Sequence, residues 1–269
     1  MGGVRLGFLG AGNMAEAIAR GILGAGLLGP REIVAADPAP ARRALFRDSL
    51  GIVAIEENEP VVRQAPVVLV AVKPQMFDKA LVALGSLFGP GKLVISICAG
   101  ISTAHVEEVV APGTRVVRAM PNTPMLVGRG MVGLAGGSKA TEDDLAEAER
   151  LLGAAAEVLR VPEDLMDAVT AVSGSGPAYF FYLAELLARA GEAAGLAPED
   201  AARLTRVTFL GAAKLLEESG ETPEALRQKV TSPGGTTEAA VSRFDARDLA
   251  GVIRDGVRAA RDRGRELGR

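Results

Sequence analysis

Up to about residue 160 the chain alternates short apolar runs with stretches of helical periodicity. VRLGFLG, EIVAAD, GIVAI, PVVLVAV, KLVISIC, TRVVRAM and MVGLAG are apolar at nearly every position, as strands covered on both faces must be. Between them, MAEAIARGILGAG, PARRALFRDSL, QMFDKALVALGSLF and TAHVEEVV place apolar residues at helical spacing. The stretch TEDDLAEAERLLGAA reads as a further helix, with Thr141 as its N-cap and acids in its first turn. This alternation predicts an α/β domain, a doubly wound parallel sheet of Rossmann type. After VPEDL the strand signal stops. From there the text is helical: a long stretch to about Gly195, interrupted at SGSGP, then PEDAARLTRVTFLGAAKLLEES, TPEALRQKV and ARDLAGVIRDGVRAARDRGREL. The expected organisation is therefore residues 1–161 as the Rossmann domain and 162–269 as an all-α domain. The long apolar helices of this all-α domain would be too exposed in a lone monomer, which predicts packing against another copy.

The first strand runs into GFLGAGNMAEAIARG, which fits Gly-x-Gly-x-x-Ala at Gly10, Gly12 and Ala15. Gly10 suits the tight turn, Gly12 lets backbone approach a pyrophosphate, and Ala15 allows the helix to pack closely on the sheet. The motif has the context it needs, after a strand and opening a helix, so Gly10, Ala11, Gly12, Asn13, Met14 and Ala15 form a candidate dinucleotide cradle. Asp37 ends the second strand, where a carboxylate accepts hydrogen bonds from the ribose hydroxyls of NAD and repels a 2′-phosphate. Arg42 and Arg43 lie just beyond and within reach of such a phosphate, so the choice between NADH and NADPH stays open. Open α/β sheets bind ligands beyond the carboxyl ends of their strands. Candidate loops there are AVKPQ with Val72, Lys73 and Pro74, SICAGI with Cys98 and Ala99, and RAMPNTP with Asn122 in reach of a carboxamide.

Composition narrows the chemistry. A net charge of −3 without basic blocks gives no electrostatic reason to expect nucleic acid, and no apolar run is long enough for a membrane span. A single cysteine excludes an intrachain disulfide and argues against a cysteine-based metal cluster. Together with an N-terminus that lacks signal-peptide features, this reads as a cytoplasmic protein. A Ser-His-Asp triad would have to use the one histidine, His105, which sits in an ordinary helical segment.

VTSPGGTTEAA is the remaining conspicuous segment. Adjacent glycines at 234 and 235 can expose converging N–H groups that favour an anion, and the threonine hydroxyls add donors.

With GFLGAGNMA, AVKPQ, MPNTP, AVSGSGPAYFF and VTSPGGTT in that order, the chain resembles pyrroline-5-carboxylate reductase along essentially its whole length. The resemblance implies hydride transfer from NADH or NADPH to the C=N carbon of 1-pyrroline-5-carboxylate, giving L-proline, the final step of proline synthesis. It implies a Rossmann domain followed by a helical dimerisation domain, with dimers commonly assembled into decamers and the substrate site built where subunits meet. It further implies that Ser232, Gly234, Gly235, Thr236 and Thr237 hold the substrate carboxylate and ring nitrogen, with Thr237 the candidate catalytic contact to that nitrogen. Glu163 matches a family position near the substrate and reads equally as a helix N-terminal acid, and Asn58 matches an asparagine on the adenosine side. Asp37 departs from the small or neutral residue that many members carry. No metal is implied. The role of Lys229 is open, and Tyr179 and Tyr182 read as core or interface.

Two other classes compete. A β-hydroxyacid-type dehydrogenase would need a lysine base early in its helical domain. Here none precedes Lys214. A nucleotide-sensing protein without turnover would have no use for SPGGTT.

Overall fold

The computed structural model describes residues 3–267. The apolar runs form β1 (Leu6–Leu9), β2 (Ile33–Ala36), β3 (Val53–Ile55), β4 (Val67–Val70), β5 (Leu93–Ser96), β6 (Arg115–Pro121), β7 (Gly130–Gly136) and β8 (Ala156–Arg160). They assemble into one sheet in the order β3-β2-β1-β4-β5-β6-β7-β8. Helices α1 (Asn13–Gly24), α2 (Pro40–Leu50), α3 (Asn58–Gln64), α4 (Phe77–Leu81), α5 (Thr103–Val109) and α6 (Glu142–Leu152) connect the strands. Thr141 caps α6 as expected, its hydroxyl accepting from the Asp144 amide while the Asp144 carboxylate takes the Thr141 N–H.

Strand residues alternate between two cores, one on each face of the sheet. On β5, Leu93 and Ile95 join Phe8, Ile18, Phe46 and Leu69. Val94 points the other way, among Leu9, Val61, Val68 and Phe77. The runs read as apolar throughout because neither face meets water.

Two features depart from the expected all-parallel sheet. β7 runs antiparallel to β6, because only a single 3₁₀ turn, Thr123–Val127, separates them and a parallel return needs a crossover of a dozen residues or so. β8, in AEVLR, was not expected as a strand. It pairs parallel with β7 at the sheet edge, where exposed Glu157, Leu159 and Arg160 dilute its apolar pattern. Arg160 pairs there with Glu142 and Glu149 of α6. The segment QMFDKALVALGSLF is α4 followed by a 3₁₀ stretch, Val82–Leu87, rather than one helix.

Beyond the sheet follow α7 (Met166–Val169), a π-helical turn (Thr170–Gly174), α8 (Gly176–Ala193), α9 (Pro198–Ser219), α10 (Pro223–Lys229), α11 (Thr236–Asp245) and α12 (Leu249–Leu267). The change from mixed to helical architecture thus falls near residue 162, while the compact units divide at Ser175/Gly176. The first unit holds the residues up to Ser175 together with those from Ala259 onward; the second is Gly176–Arg258. Residues 162–175 stay with the first unit for identifiable reasons. Met166 is fully buried, Glu163 and Asp167 pair with Arg118 of β6, and Ser173 receives the Asn122 side chain.

The second unit is built on α8 packed against α9, with Phe180 and Phe209 edge to face at 5.9 Å. Its helices keep large apolar side chains in water: Phe181 is 70% exposed, and Tyr182, Leu183, Val207 and Leu210 are each more than half exposed. Such surface calls for a partner.

Cys98 lies in the second core, 2% exposed, with its thiol against the Val72 carbonyl at 3.3 Å. Burial pushes the thiol pKa up to about 11. Two outcomes follow. Replacing Ile95, fully buried at the sheet centre, by Ala is expected to lower unfolding free energy by about 2–5 kcal/mol in denaturant titration. Alkylation of Cys98 near neutral pH is expected to run roughly a hundredfold or more slower than that of an exposed thiol, recovering in denaturant. Because the unfolded thiol ionises first, this group also withdraws stability as pH rises from 9 toward 11.

Candidate active site

The chain turns from β3 across to β4 on the far side of β1, so the sheet's topological switch point lies between β1 and β4, the position at which open α/β sheets bind ligands. Here the backbone runs close. Gly10 adopts φ +95°, and a Cβ on it would lie 2.7 Å from the Ala71 carbonyl oxygen, so both its conformation and its neighbour demand glycine. Gly12 is the N-cap of α1 with no side-chain cap, and the space on its side-chain side is open for 4 Å. The first N–H groups of α1 therefore face an open cradle that suits a pyrophosphate. Ala15, fully buried, lets α1 sit close on the sheet. Asn13 opens α1 at its first position and Met14 packs partly buried against the first core.

Asp37 follows β2 at the neighbouring strand end. Its two carboxylate oxygens accept from the backbone: Oδ2 from the Ala11 N–H and Oδ1 from the Ala39 N–H, both at 2.8 Å. The carboxylate is thereby fixed beside the glycine-rich turn, and each oxygen keeps a lone pair for a ribose hydroxyl. Asn58 is the first residue of α3, just past β3, and the Asp37 N–H bonds the Ile55 carbonyl at 3.0 Å, which ties the β2 and β3 ends together.

Arg42 and Arg43 are engaged with protein acceptors. Arg42 donates to the Ala11 carbonyl and, at 2.9 Å, to Glu16 of α1. Arg43 donates to the carbonyls of Asp37 and Pro38 at 2.8 Å and pairs with Glu56 at 3.3 Å. Glu16 also pairs with Arg20. Burial pushes the Glu16 carboxyl upward, but the two arginines together outweigh it and hold its pKa below the usual glutamate value.

The ends of β4, β5 and β6 continue the same edge. Lys73 precedes a 3₁₀ turn beginning at Pro74. The Ile97 N–H bonds Val70, and the buried Cys98 thiol reaches the carbonyls of Val70 and Val72. Cys98 thus fastens the loop carrying Val72, Lys73 and Pro74 to the one carrying Ala99, and its side chain faces the core rather than the loop surface. Asn122 is fully engaged on its donor side: its Nδ2 donates to Ser173, and its Oδ1 accepts from the Met131 N–H at 2.9 Å.

Glu163 accepts from Arg118 at 3.0 Å and from the N–H of Thr103, the first residue of α5, at 3.1 Å. It therefore serves a helix N-terminus, that of α5 rather than of its own segment. Its second oxygen is buried without a partner among the described residues. Arg118 and Asp167 were missed from sequence. A charge inside the apolar run VVRAM was the available signal, since a buried arginine requires acids.

In the helical unit, Ser232, Gly234, Gly235, Thr236 and Thr237 form the entry to α11. Gly234 takes φ +72°. Its N–H is accepted by the Glu238 carboxylate at 2.7 Å, and that of Gly235 by the Ser232 carbonyl at 3.0 Å. The glycine amides are thus held within the loop, and the outward donors are those of the α11 N-terminus, at Thr236 and Thr237, which has no side-chain cap. Just before the loop, Lys229 pairs with Glu221.

Tyr179 and Tyr182 lie on α8, both exposed within the chain. Among the described residues no helix is long and apolar enough to cross a membrane.

Comparison with known proteins bears on both units. Residues 163–267 match the family model described as pyrroline-5-carboxylate reductase dimerisation. Residues 5–100 match one described as NADP oxidoreductase, coenzyme F420-dependent. The chain is 41% identical to the pyrroline-5-carboxylate reductase of a Synechocystis species over 267 residues, covering 99% of each, and 41% identical to that of Arabidopsis thaliana over 98% of this chain and 95% of that protein. Among solved structures, a pyrroline-5-carboxylate reductase from Coxiella burnetii covers the whole of both chains at 35% identity and a TM-score of 0.91. The NADP-bound Plasmodium falciparum pyrroline carboxylate reductase is similar at 27% identity and a TM-score of 0.87, over 99% of this chain and 98% of that one. The glycine turn at the switch point, the uncapped threonine entry to α11 and these full-length similarities agree: the chain belongs to the pyrroline-5-carboxylate reductase family.

Proposed function

We propose that this protein reduces 1-pyrroline-5-carboxylate to L-proline with NADH or NADPH, as the last step of proline synthesis, in the cytoplasm and as a homo-oligomer built from dimers. The observation that carries the reading is the α11 entry, Ser232 to Thr237, in a chain that shares 41% identity with reductases of this name over nearly its full length. Nothing in a nucleotide sensor would call for such an entry. A dehydrogenase of the β-hydroxyacid type would lack its early helical lysine here.

When bound, the reduced coenzyme would supply a hydride to the imine carbon of the substrate. The residues of the chain hold and orient. The α1 N-terminus, from Gly12 and Asn13, takes the pyrophosphate. Asp37 and Asn58 serve the adenosine half. The loop backbones at Val72, Lys73, Pro74, Cys98 and Ala99, with the Asn122 strand end, bound the nicotinamide half. At the other end of the reaction, the N–H groups of Thr236 and Thr237 take the substrate carboxylate at an uncapped helix N-terminus. The Thr237 hydroxyl contacts the ring nitrogen, which a protonated imine presents as a donor and a product amine still presents. Little acid-base machinery is required because a protonated imine is already electrophilic; holding its carbon at near-attack distance is the main task. Residues 162–269 act as the substrate-binding and oligomerising half, with Glu163 contributing a carboxylate near the substrate side.

The first experiment is loss of reduced-coenzyme absorbance in the presence of 1-pyrroline-5-carboxylate; no turnover with either coenzyme in assembled protein would refute the assignment. Thr237→Ala is expected to lower kcat/KM for the imine by about 10²-fold, with coenzyme affinity unchanged. Gly234→Ala forces a side chain into the left-handed region at a cost of about 1–3 kcal/mol and is expected to raise KM for the imine; an unaltered KM would detach this loop from the substrate.

A further inference from the structure

The cationic side chains nearest the end of β2 decide which coenzyme the glycine turn can accept. NADPH differs from NADH only by a 2′-phosphate on the adenine ribose, which needs a cation beside it. Asp37 occupies that strand end, its carboxylate pinned by the N–H groups of Ala11 and Ala39. Arg42 and Arg43 are the first cations after Asp37 in sequence, and both are engaged with protein acceptors. Arg43 is divided between the Asp37 and Pro38 carbonyls and Glu56. Arg42 is turned onto the glycine-rich turn and α1, with its Nε on the Ala11 carbonyl and its terminal nitrogen on Glu16 at 2.9 Å. Both members of the Arg42–Glu16 pair are mostly covered, at 24% and 17% side-chain exposure, so the pair is less screened than an open surface ion pair. Glu16 sits one turn into the helix whose N-terminus would face the pyrophosphate, where its negative charge would repel that group unless it is neutralised. Arg42 and Arg20 do that.

We propose that Glu16 is a specificity-determining positioning residue: by holding Arg42 against α1 it withholds that guanidinium from the adenine ribose beside Asp37, so that the protein binds NADH in preference to NADPH. The inference rests on the reading of the glycine turn as the coenzyme site. Releasing Arg42 turns the same guanidinium into a phosphate ligand, since its planar donors match phosphate oxygens. Asp37 supplies the repulsion and Glu16 the restraint on the cation that would offset it.

Calorimetric titration of the intact protein with NADH and with NADPH, without substrate, reads the effect independently of turnover. NADH is expected to bind roughly tenfold or more tightly than NADPH, the scale of one uncompensated charge contact. In Glu16→Gln, NADPH affinity is expected to rise by about tenfold relative to NADH. The double variant Glu16→Gln with Arg42→Ala is expected to lose that gain, which a general change in charge or packing at α1 would not produce. Equal affinity of the unaltered protein for both coenzymes overturns the inference while leaving the reductase assignment intact. So does an unchanged affinity ratio in Glu16→Gln, or a gain that survives in the double variant. Binding of neither coenzyme overturns this inference and the coenzyme site together.

Discussion

The contact between Gly10 and the Ala71 carbonyl is the constraint from which the site follows. Where β1 and β4 end side by side, the chain after β1 must turn sharply toward α1 while passing a backbone carbonyl at a distance no side chain tolerates. Meeting it with glycine brings the α1 N-terminus to the switch point, where it has no side-chain cap. The end of β2 is then tied to this turn by the bond from Ala11 to Asp37, and the ends of β4 and β5 to each other by Ile97 to Val70 and the Cys98 thiol to Val72. A row of loops becomes one rigid edge. Pre-arranged donors of this kind cost little to order when a ligand arrives.

Charge is used sparingly inside this unit, and nearly always in pairs. Arg118, 5% exposed on β6, would be untenable alone; Glu163 and Asp167 neutralise it and fasten the segment before α8 to the sheet. Met120 of β6 and Asn122, just past its end, share that work. Met120 lies against Gly174 and Asn122 bonds Ser173, so this strand and its end fix the turn that leads into the helical unit. Breaking a buried pair on one side typically costs several kcal/mol, because the other charge is left without compensation.

The helical unit follows a different economy. Its α8 and α9 bury little of their apolar surface within the chain, and the match of residues 163–267 to a dimerisation family accounts for the remainder. The same unit carries the threonine entry to α11, so the element that assembles the protein and the element assigned to substrate lie in one stretch of sequence.

Much of this was legible in the chain. Apolar runs gave the first seven strands, Gly-x-Gly-x-x-Ala the coenzyme turn, and SPGGTT the family, because each depends on local chemistry: residues within a few positions of one another fix a turn, a strand or a helix start. The edge strand Ala156–Arg160 was hidden because half its surface is in water and its pattern is mixed. The reversal of β7 depends on the length of one connection, not on any residue in the strand. Partners were beyond sequence reach. That Asn122 would hold Ser173, that Glu163 would cap α5 through Thr103, that the amides of Gly234 and Gly235 would be taken within their own loop, and that Arg42 would turn to Glu16 are outcomes of packing. The sequence by itself determined which groups the protein possesses and the local shapes that present them. Tertiary structure alone decided which of those groups meet, because a hydrogen bond or an ion pair depends on distances between residues that the linear order leaves free.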